Sequence, residues 1–183
     1  SITVRVPLTI RRRPGRKTVV MPVQAGAEAA LPTRADPALV KALDQALEAA
    51  YARGYRYFYN GGALGFDLLA AERVLAMQRR HPEVSLEIAI PHGHQTDGWP
   101  ADQRVRYERI VYLANVKHEL SPLYYPGCYH VRNRYMVDHA ALCICYFVHP
   151  KGGTASTVAY AAQQELCMVN LAIQDSWKKL LGT

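Results

Sequence analysis

Tyr55-Arg56-Tyr57-Phe58-Tyr59-Asn60-Gly61-Gly62-Ala63-Leu64-Gly65-Phe66-Asp67-Leu68-Leu69-Ala70-Ala71 decides the fold. Tyr55 to Tyr59 has the aromatic composition of a strand, and from Phe66 to Arg80 the residues Leu68, Leu69, Ala71 and Leu75 follow a helical pattern. Between them lies a glycine turn. Such a turn feeding a helix lets the backbone approach a ligand closely, and the unpaired N–H groups and positive dipole end of the helix favour an anion. Lys151-Gly152-Gly153-Thr154-Ala155-Ser156-Thr157 repeats the arrangement between another strand-like and helix-like run. A phosphate is the expected guest of both turns.

Outward from the first turn, strand-like and helix-like stretches alternate. Thr18 to Val23 reads as a strand. Asp36 is placed to cap a helix with Pro37 at its first position, and Leu39, Leu43, Leu47 and Ala50 form its apolar stripe up to Gly54. Ser85 to Ile90 is a buried-type strand closed by Pro91, Asp102 to Leu113 a helix and Val116 to Leu120 a short strand. Asn133 to His139 is expected to be helical, Leu142 to Val148 a strand, Thr154 to Glu165 a helix and Met168 to Ile173 the last strand. This alternation predicts an α/β Rossmann-like three-layer fold, with a mainly parallel sheet and helices on both faces. Ligands of such sheets gather beyond the carboxyl ends of the strands, where both glycine turns belong.

The chain has 183 residues, half of them hydrophobic, which suits one domain. Its charge of +7 is concentrated at one end. Arg5, Arg11, Arg12, Arg13, Arg16 and Lys17 stand in residues 1–17 without an acid, so residues 18–183 hold 16 bases against 15 acids. The reading is a solvated basic arm over 1–17, able to make weak nucleic-acid contacts, and a nearly neutral domain over 18–183. No apolar run approaches the roughly 20 residues that span a bilayer, and Ser1 to Ile10 lacks a signal-peptide core, so a cytoplasmic location and no membrane partner are expected. A homo-oligomer is left open. Cys143 and Cys145 fall inside an apolar strand and read as small core residues.

Each motif carries its own chemistry. Gly61, Gly62 and Gly65 let the first turn curl around a phosphate or ribose, and the Asp67 carboxylate can cap N–H groups or accept from ribose hydroxyls. Gly152, Gly153 and Thr154 offer backbone donors in the second turn, to which Ser156 and Thr157 add hydroxyls. Arg132, Asn133 and Arg134 open a helix, and an arginine fork is a natural partner for phosphate. Two residues apart, the arginines diverge by roughly 200° around the axis. Arg132 is therefore expected to face the ligand and Arg134 to pair with Asp138 one turn on. His92-Gly93-His94 with Asp97 lacks a third spaced ligand, and no metal is assigned to it. Gln95 and Trp99 read as a loop wall over a base or a hydrophobic plug.

In this order, Gly61 to Asp67 with Ala70-Ala71-Glu72, Ile90-Pro91 with Gln95 and Trp99, Arg132 to Asp138, and Gly152-Gly153-Thr154 resemble the YpsA/YoqJ-like family. That family belongs to the SLOG superfamily, with the DNA-processing protein DprA and the LOG phosphoribohydrolases. The resemblance implies a site for a nucleotide or nucleotide-derived ligand, of the NAD or ADP-ribose type, in a sensor or regulatory domain. The alternative it carries is a nucleotide-processing enzyme, such as a LOG-like phosphoribohydrolase, with Asp67, Glu72 or Asp138 as general acid or base. LOG enzymes carry a glutamate one turn after their second glycine motif, where Thr157-Val158-Ala159 has no acid, so a binding protein is the stronger expectation. A second departure follows the first strand: relatives carry Gly-His/Tyr-Arg-Pro, and this chain reads Met21-Pro22-Val23-Gln24-Ala25-Gly26-Ala27-Glu28. Some codon choices for Met21 to Leu31, read one nucleotide on, give Cys-Arg-Tyr-Arg-Pro-Glu-Arg-Lys-Leu-Pro, which is closer to the family.

Overall fold

The structure is a computed structural model that describes residues 2–5, 18–21, 36–148 and 153–182. In chain order its elements are β1 (Ile2–Arg5), β2 (Thr18–Met21), α1 (Pro37–Ala52), β3 (Tyr57–Asn60), α2 (Phe66–Gln78), β4 (Ser85–Ile90), α3 (Ala101–Leu113), β5 (Val116–Glu119), α4 (Cys128–Asp138), β6 (Leu142–Cys145), α5 (Gly153–Gln163) and β7 (Cys167–Asn170), followed by a 3-10 helix, Ser176–Leu181. The seven strands form one sheet in the order β1-β5-β4-β3-β2-β6-β7, and every pairing is parallel. From β2 the chain winds outward through β3, β4 and β5, then returns to the other side of β2 for β6 and β7. The switch in winding direction lies between β2 and β6, where doubly wound sheets hold their ligands.

Side chains on the strands alternate between two cores, as the pleat requires. Phe58, Leu86, Ile88, Ile90, Leu142 and Ile144 pack with α1, α2 and Ile110 of α3 on one face. Tyr59, Ala89, Cys143 and Cys145 pack with Tyr135, Met136 and Val137 of α4 and Ala161 of α5 on the other. Cys143 and Cys145 are thus small core residues, as their setting suggests. α1 forms where its stripe predicts: the Asp36 carboxylate accepts from the Ala38 N–H at 3.0 Å, Pro37 follows, and Leu39, Leu43, Ala46, Leu47 and Ala50 are buried. Each leucine so enclosed contributes about 1.5–3 kcal/mol.

Four segments differ from the sequence expectation. Ile2–Arg5, read as part of a solvated arm, pairs with β5 as the outermost strand of the sheet. Of that arm, residues 6–17 lie outside the described residues, as do 22–35, so the departure after the first strand is not described beyond Met21. α4 starts at Cys128, five residues before the expected Asn133, after a left-handed Gly127 at φ 89°. Its first turn has no apolar stripe to announce it; buried Cys128 and Arg132 anchor it instead. β6 and β7 end earlier than expected, because the Asn170 side chain takes the Phe147 N–H at 3.0 Å and donates to the Phe147 carbonyl at 2.9 Å.

Candidate functional site

The first glycine turn is held from within. Asn60, the last residue of β3, accepts the Gly62 N–H on Oδ1 at 2.7 Å and donates from Nδ2 to the Asp67 carbonyl at 2.8 Å. Asp67 accepts the Ala63 N–H on Oδ2 at 3.2 Å, while its Oδ1 is buried without a hydrogen-bond partner among the described residues. Two N–H groups that a phosphate was expected to use are therefore taken by side chains of the chain itself. The carboxylate sits inside the turn in the role of the anion. Gly62 has its own reason to be glycine: at φ 65° a Cβ there would meet Tyr107 Cε2 at 2.9 Å. The Tyr107 ring packs against the side of Gly62 where a side chain would stand.

Arg132 closes the turn from the opposite face of the sheet. Its side chain is buried, 1% exposed; Nη1 donates to the Gly61 carbonyl and to Gln95 Oε1, both at 2.9 Å, and Nε donates to Asn133 Oδ1 at 2.8 Å. Gln95 Nε2 adds a bond to the same Gly61 carbonyl at 3.2 Å, so Gln95 is an inner brace rather than a wall over a base. Burial pushes the Asp67 carboxyl up to about 7, against the pull of Arg132 and of the Ala63 and Gly61 amides. Burial likewise lowers the Arg132 guanidinium from its ordinary value, and Asp67 opposes that. The pair is one enclosed charge couple. Trp99 meets Tyr107 edge-on, with centroids 5.5 Å apart, as a plug behind the turn.

The N-terminal half of α5 borders a small groove between it and α4, lined by His130, Asn133, Arg134, Ser156, Thr157 and Tyr160. Gly153 and Thr154 lie in the first turn of α5 beside it, and Gly152 lies outside the described residues. Arg134 is exposed, with its guanidinium carbon 4.8 Å from the Tyr160 ring centroid. It forms no ion pair with Asp138, which instead accepts the Tyr160 hydroxyl at 2.6 Å. Arg132 is thus bonded within the chain, and Arg134, rather than pairing with Asp138, lines the groove. Asn133 joins the two regions, receiving Arg132 on one side and lining the groove on the other.

The other acids singled out in the sequence are engaged. Glu72 accepts from Arg106, and Asp138 from Tyr160. His92 is buried against the Tyr129 hydroxyl at 3.0 Å, and exposed His94 approaches Asp97 at 3.6 Å. Among the described residues no group of three or more His, Cys, Asp or Glu is arranged to hold a metal ion. No described helix is long and apolar enough to cross a membrane. Asn60, Tyr107, His130 and Tyr160 were not picked out by sequence. An Asn directly before two glycines, able to close its own turn, was the available signal for Asn60.

The chain matches the YpsA family model, described as the YspA SLOG family, over residues 34–174. It is 31% identical over 121 residues to the SPβ prophage-derived protein YoqJ of Bacillus subtilis (strain 168), covering 60% of this chain and 71% of YoqJ. A UPF0398 protein of Bacillus thuringiensis (strain Al Hakam) is 27% identical over 127 residues, 68% of this chain and 69% of that protein. Among solved structures, DNA processing protein A (DprA) of Streptococcus pneumoniae superposes with a TM-score of 0.55 at 15% identity, covering 90% of this chain and 53% of that one. Helicobacter pylori DprA, studied for its single-stranded DNA binding mode, gives 0.54 at 20% identity over 91% and 72%. At these identities the DprA likeness shows the fold alone. The family match, in contrast, takes in α1 to β7 with the turn, the arginine couple and the groove, and by it the chain belongs to the YpsA family of SLOG proteins.

Proposed function

We propose that the chain binds a nucleotide or nucleotide-derived ligand, of the NAD or ADP-ribose type, at the carboxyl edge of the sheet and acts as a sensor or regulatory domain. The observation that carries this reading is the α4–α5 groove, where exposed Arg134 and the amide of Asn133 stand against the first turn of α5 with Ser156. An arginine, an amide, a hydroxyl and a helix start suit a phosphate ester. The first turn supports the site from behind, through Gly61, Arg132 and Asn133. A SLOG fold shared with a single-stranded DNA binder is compatible with nucleotide chemistry at this edge.

Calorimetric titration with AMP, NAD and ADP-ribose, after a thermal-shift screen, tests the reading. Arg134→Ala should weaken a phosphate-bearing ligand by roughly ten- to a hundredfold, the worth of a charge-assisted bond, and leave the matching nucleoside almost unchanged. Equal losses for nucleotide and nucleoside would remove the phosphate from the groove. Turnover of AMP to free base would move the protein to the enzymatic alternative.

A further inference from the structure

Beside the groove the carboxyl edge carries an aromatic shelf. Tyr124, in the loop after β5, is 59% exposed, Tyr129 in the first turn of α4 is 40% exposed, and Leu123 next to them is 65% exposed. Their rings are braced from beneath. His92 Nδ1 accepts the His94 N–H at 3.1 Å, which puts the imidazole proton on Nε2, where it is donated to the Tyr129 oxygen at 3.0 Å. Burial holds the imidazole below its ordinary pKa, in the neutral form this arrangement needs. The phenolic proton of Tyr129 is then directed away from His92. The Arg132 guanidinium carbon stands 5.5 Å from the Tyr129 ring centroid. Tyr124 meets His92 edge-on at 5.5 Å and Tyr129 at 6.3 Å with the planes 50° apart.

Exposed aromatic rings held at fixed angles are preorganised to receive a flat partner at little entropic cost. Three side chains are far too little surface for a protein partner, which needs about 800 Å² on each side. The shelf is also continuous with the groove. Tyr129 and Asn133 are one helical turn apart on α4, about 6 Å between neighbouring side-chain roots, and Asn133 lines the groove. We infer that the base of the nucleotide whose phosphate occupies the α4–α5 groove packs into the angle between Tyr124 and Tyr129, stacked on the Tyr129 ring and flanked by Tyr124, with the Tyr129 hydroxyl donating to a ring nitrogen or ribose oxygen. The inference rests on the reading of the groove given above.

The test titrates the full chain with AMP and with ribose 5-phosphate. Tyr129→Leu should weaken AMP by about tenfold, the usual worth of one stacked base, and leave ribose 5-phosphate unchanged. Tyr129→Phe, which keeps the ring and loses the hydroxyl donor, should weaken AMP only a few-fold, less than Tyr129→Leu. Saturation-transfer NMR should place the strongest contact on the base protons of AMP and lose it in Tyr129→Leu. If Tyr129→Leu does not fold by circular dichroism, Tyr124→Leu carries the same expectation. Unchanged AMP affinity in the folded leucine variant, with a loss in Arg134→Ala, would overturn the shelf and leave the groove standing. A wild-type protein that binds none of AMP, NAD and ADP-ribose would overturn both. An oligothymidylate that binds through the same tyrosines in preference to AMP would overturn the mononucleotide assignment.

Discussion

Arg132 Nη1 lies 2.9 Å from the carbonyl oxygen of Gly61, so a helix on one face of the sheet holds the turn that starts a helix on the other. The contact crosses the carboxyl edge between α4 and α2. It ties the Gly61 carbonyl of the first glycine turn to the same helix, α4, whose Asn133 and Arg134 line the groove toward α5.

Removing the arginine should therefore be a stability defect before it is a binding defect. Arg132→Ala deletes three buried hydrogen bonds and removes the positive charge that favours the ionised Asp67 carboxyl, a loss of about 3–5 kcal/mol for three bonds from a charged donor. Arg132→Lys restores the charge but not the fork, and should fall between the two. Urea unfolding measures the difference. A loss near zero would show that the couple contributes nothing to the fold.

The same couple fixes a pH dependence. The Asp67 carboxyl is raised in the folded state, from 3.8 to about 7, so the folded protein holds this proton more tightly than the unfolded chain does. Its contribution is fully present below pH 3.8 and is lost as pH rises to about 7. Across that window it amounts to about 4 kcal/mol at most, at 1.36 kcal/mol for each pKa unit. Glu48 and Glu83, held low by their partners, act in the opposite sense, so the readout is the difference between wild type and Asp67→Asn. That difference should shift against the wild type between pH 4 and 7, and Arg132→Ala should carry the window higher. A pH-independent difference would mean that Asp67 titrates normally.

How much of this could be read from the sequence follows from which residues signal locally. The parallel sheet and its helices were legible because Leu39, Leu43 and Leu47 repeat at helical spacing and Leu86, Ile88, Ala89 and Ile90 make Ser85 to Ile90 a mostly apolar run. The early start of α4 was not, because Cys128, Tyr129 and His130 carry no periodic apolar stripe and the turn is anchored by contacts far away in sequence. The inward turn of Arg132 toward Gly61 was hidden for the same reason. Helical geometry says that the two diverge, but only the position of Gly61, 71 residues earlier, decides which one turns inward. The glycine turn is legible from its composition, but the packing of Tyr107 against Gly62 is not, since nothing local announces it.

Gly62→Ala tests that packing. The new methyl meets Tyr107 Cε2 at 2.9 Å on a backbone held at φ 65°. Strain and overpacking together should cost about 2–4 kcal/mol. Gly127→Ala, at φ 89° with nothing within 4 Å, has the strain alone and should cost about 1–2 kcal/mol. Adding Tyr107→Leu should recover part of the first loss and none of the second, because residues in contact are not additive. Equal losses at the two glycines would mean that the Tyr107 ring moves aside freely.

The last prediction concerns a polar chain buried beneath α4. His118 Nε2 lies 2.7 Å from Glu87 Oε1, and the Tyr135 hydroxyl lies 2.9 Å from His118 Nδ1. With the carboxylate accepting from Nε2–H, Nδ1 accepts from the phenol, so each proton points along one line from α4 into the sheet. His118→Ala removes the middle member and strips a buried carboxylate of its closest donor, which should cost about 3–5 kcal/mol. Tyr135→Phe removes only the outer bond and should cost about 1 kcal/mol. Tyr135 is on α4 but faces the sheet core rather than the groove, so Tyr135→Phe should leave AMP affinity within experimental error of wild type. A binding loss in that variant, with stability intact, would show that the buried chain sets the pose of Asn133 and Arg134 and is part of the site.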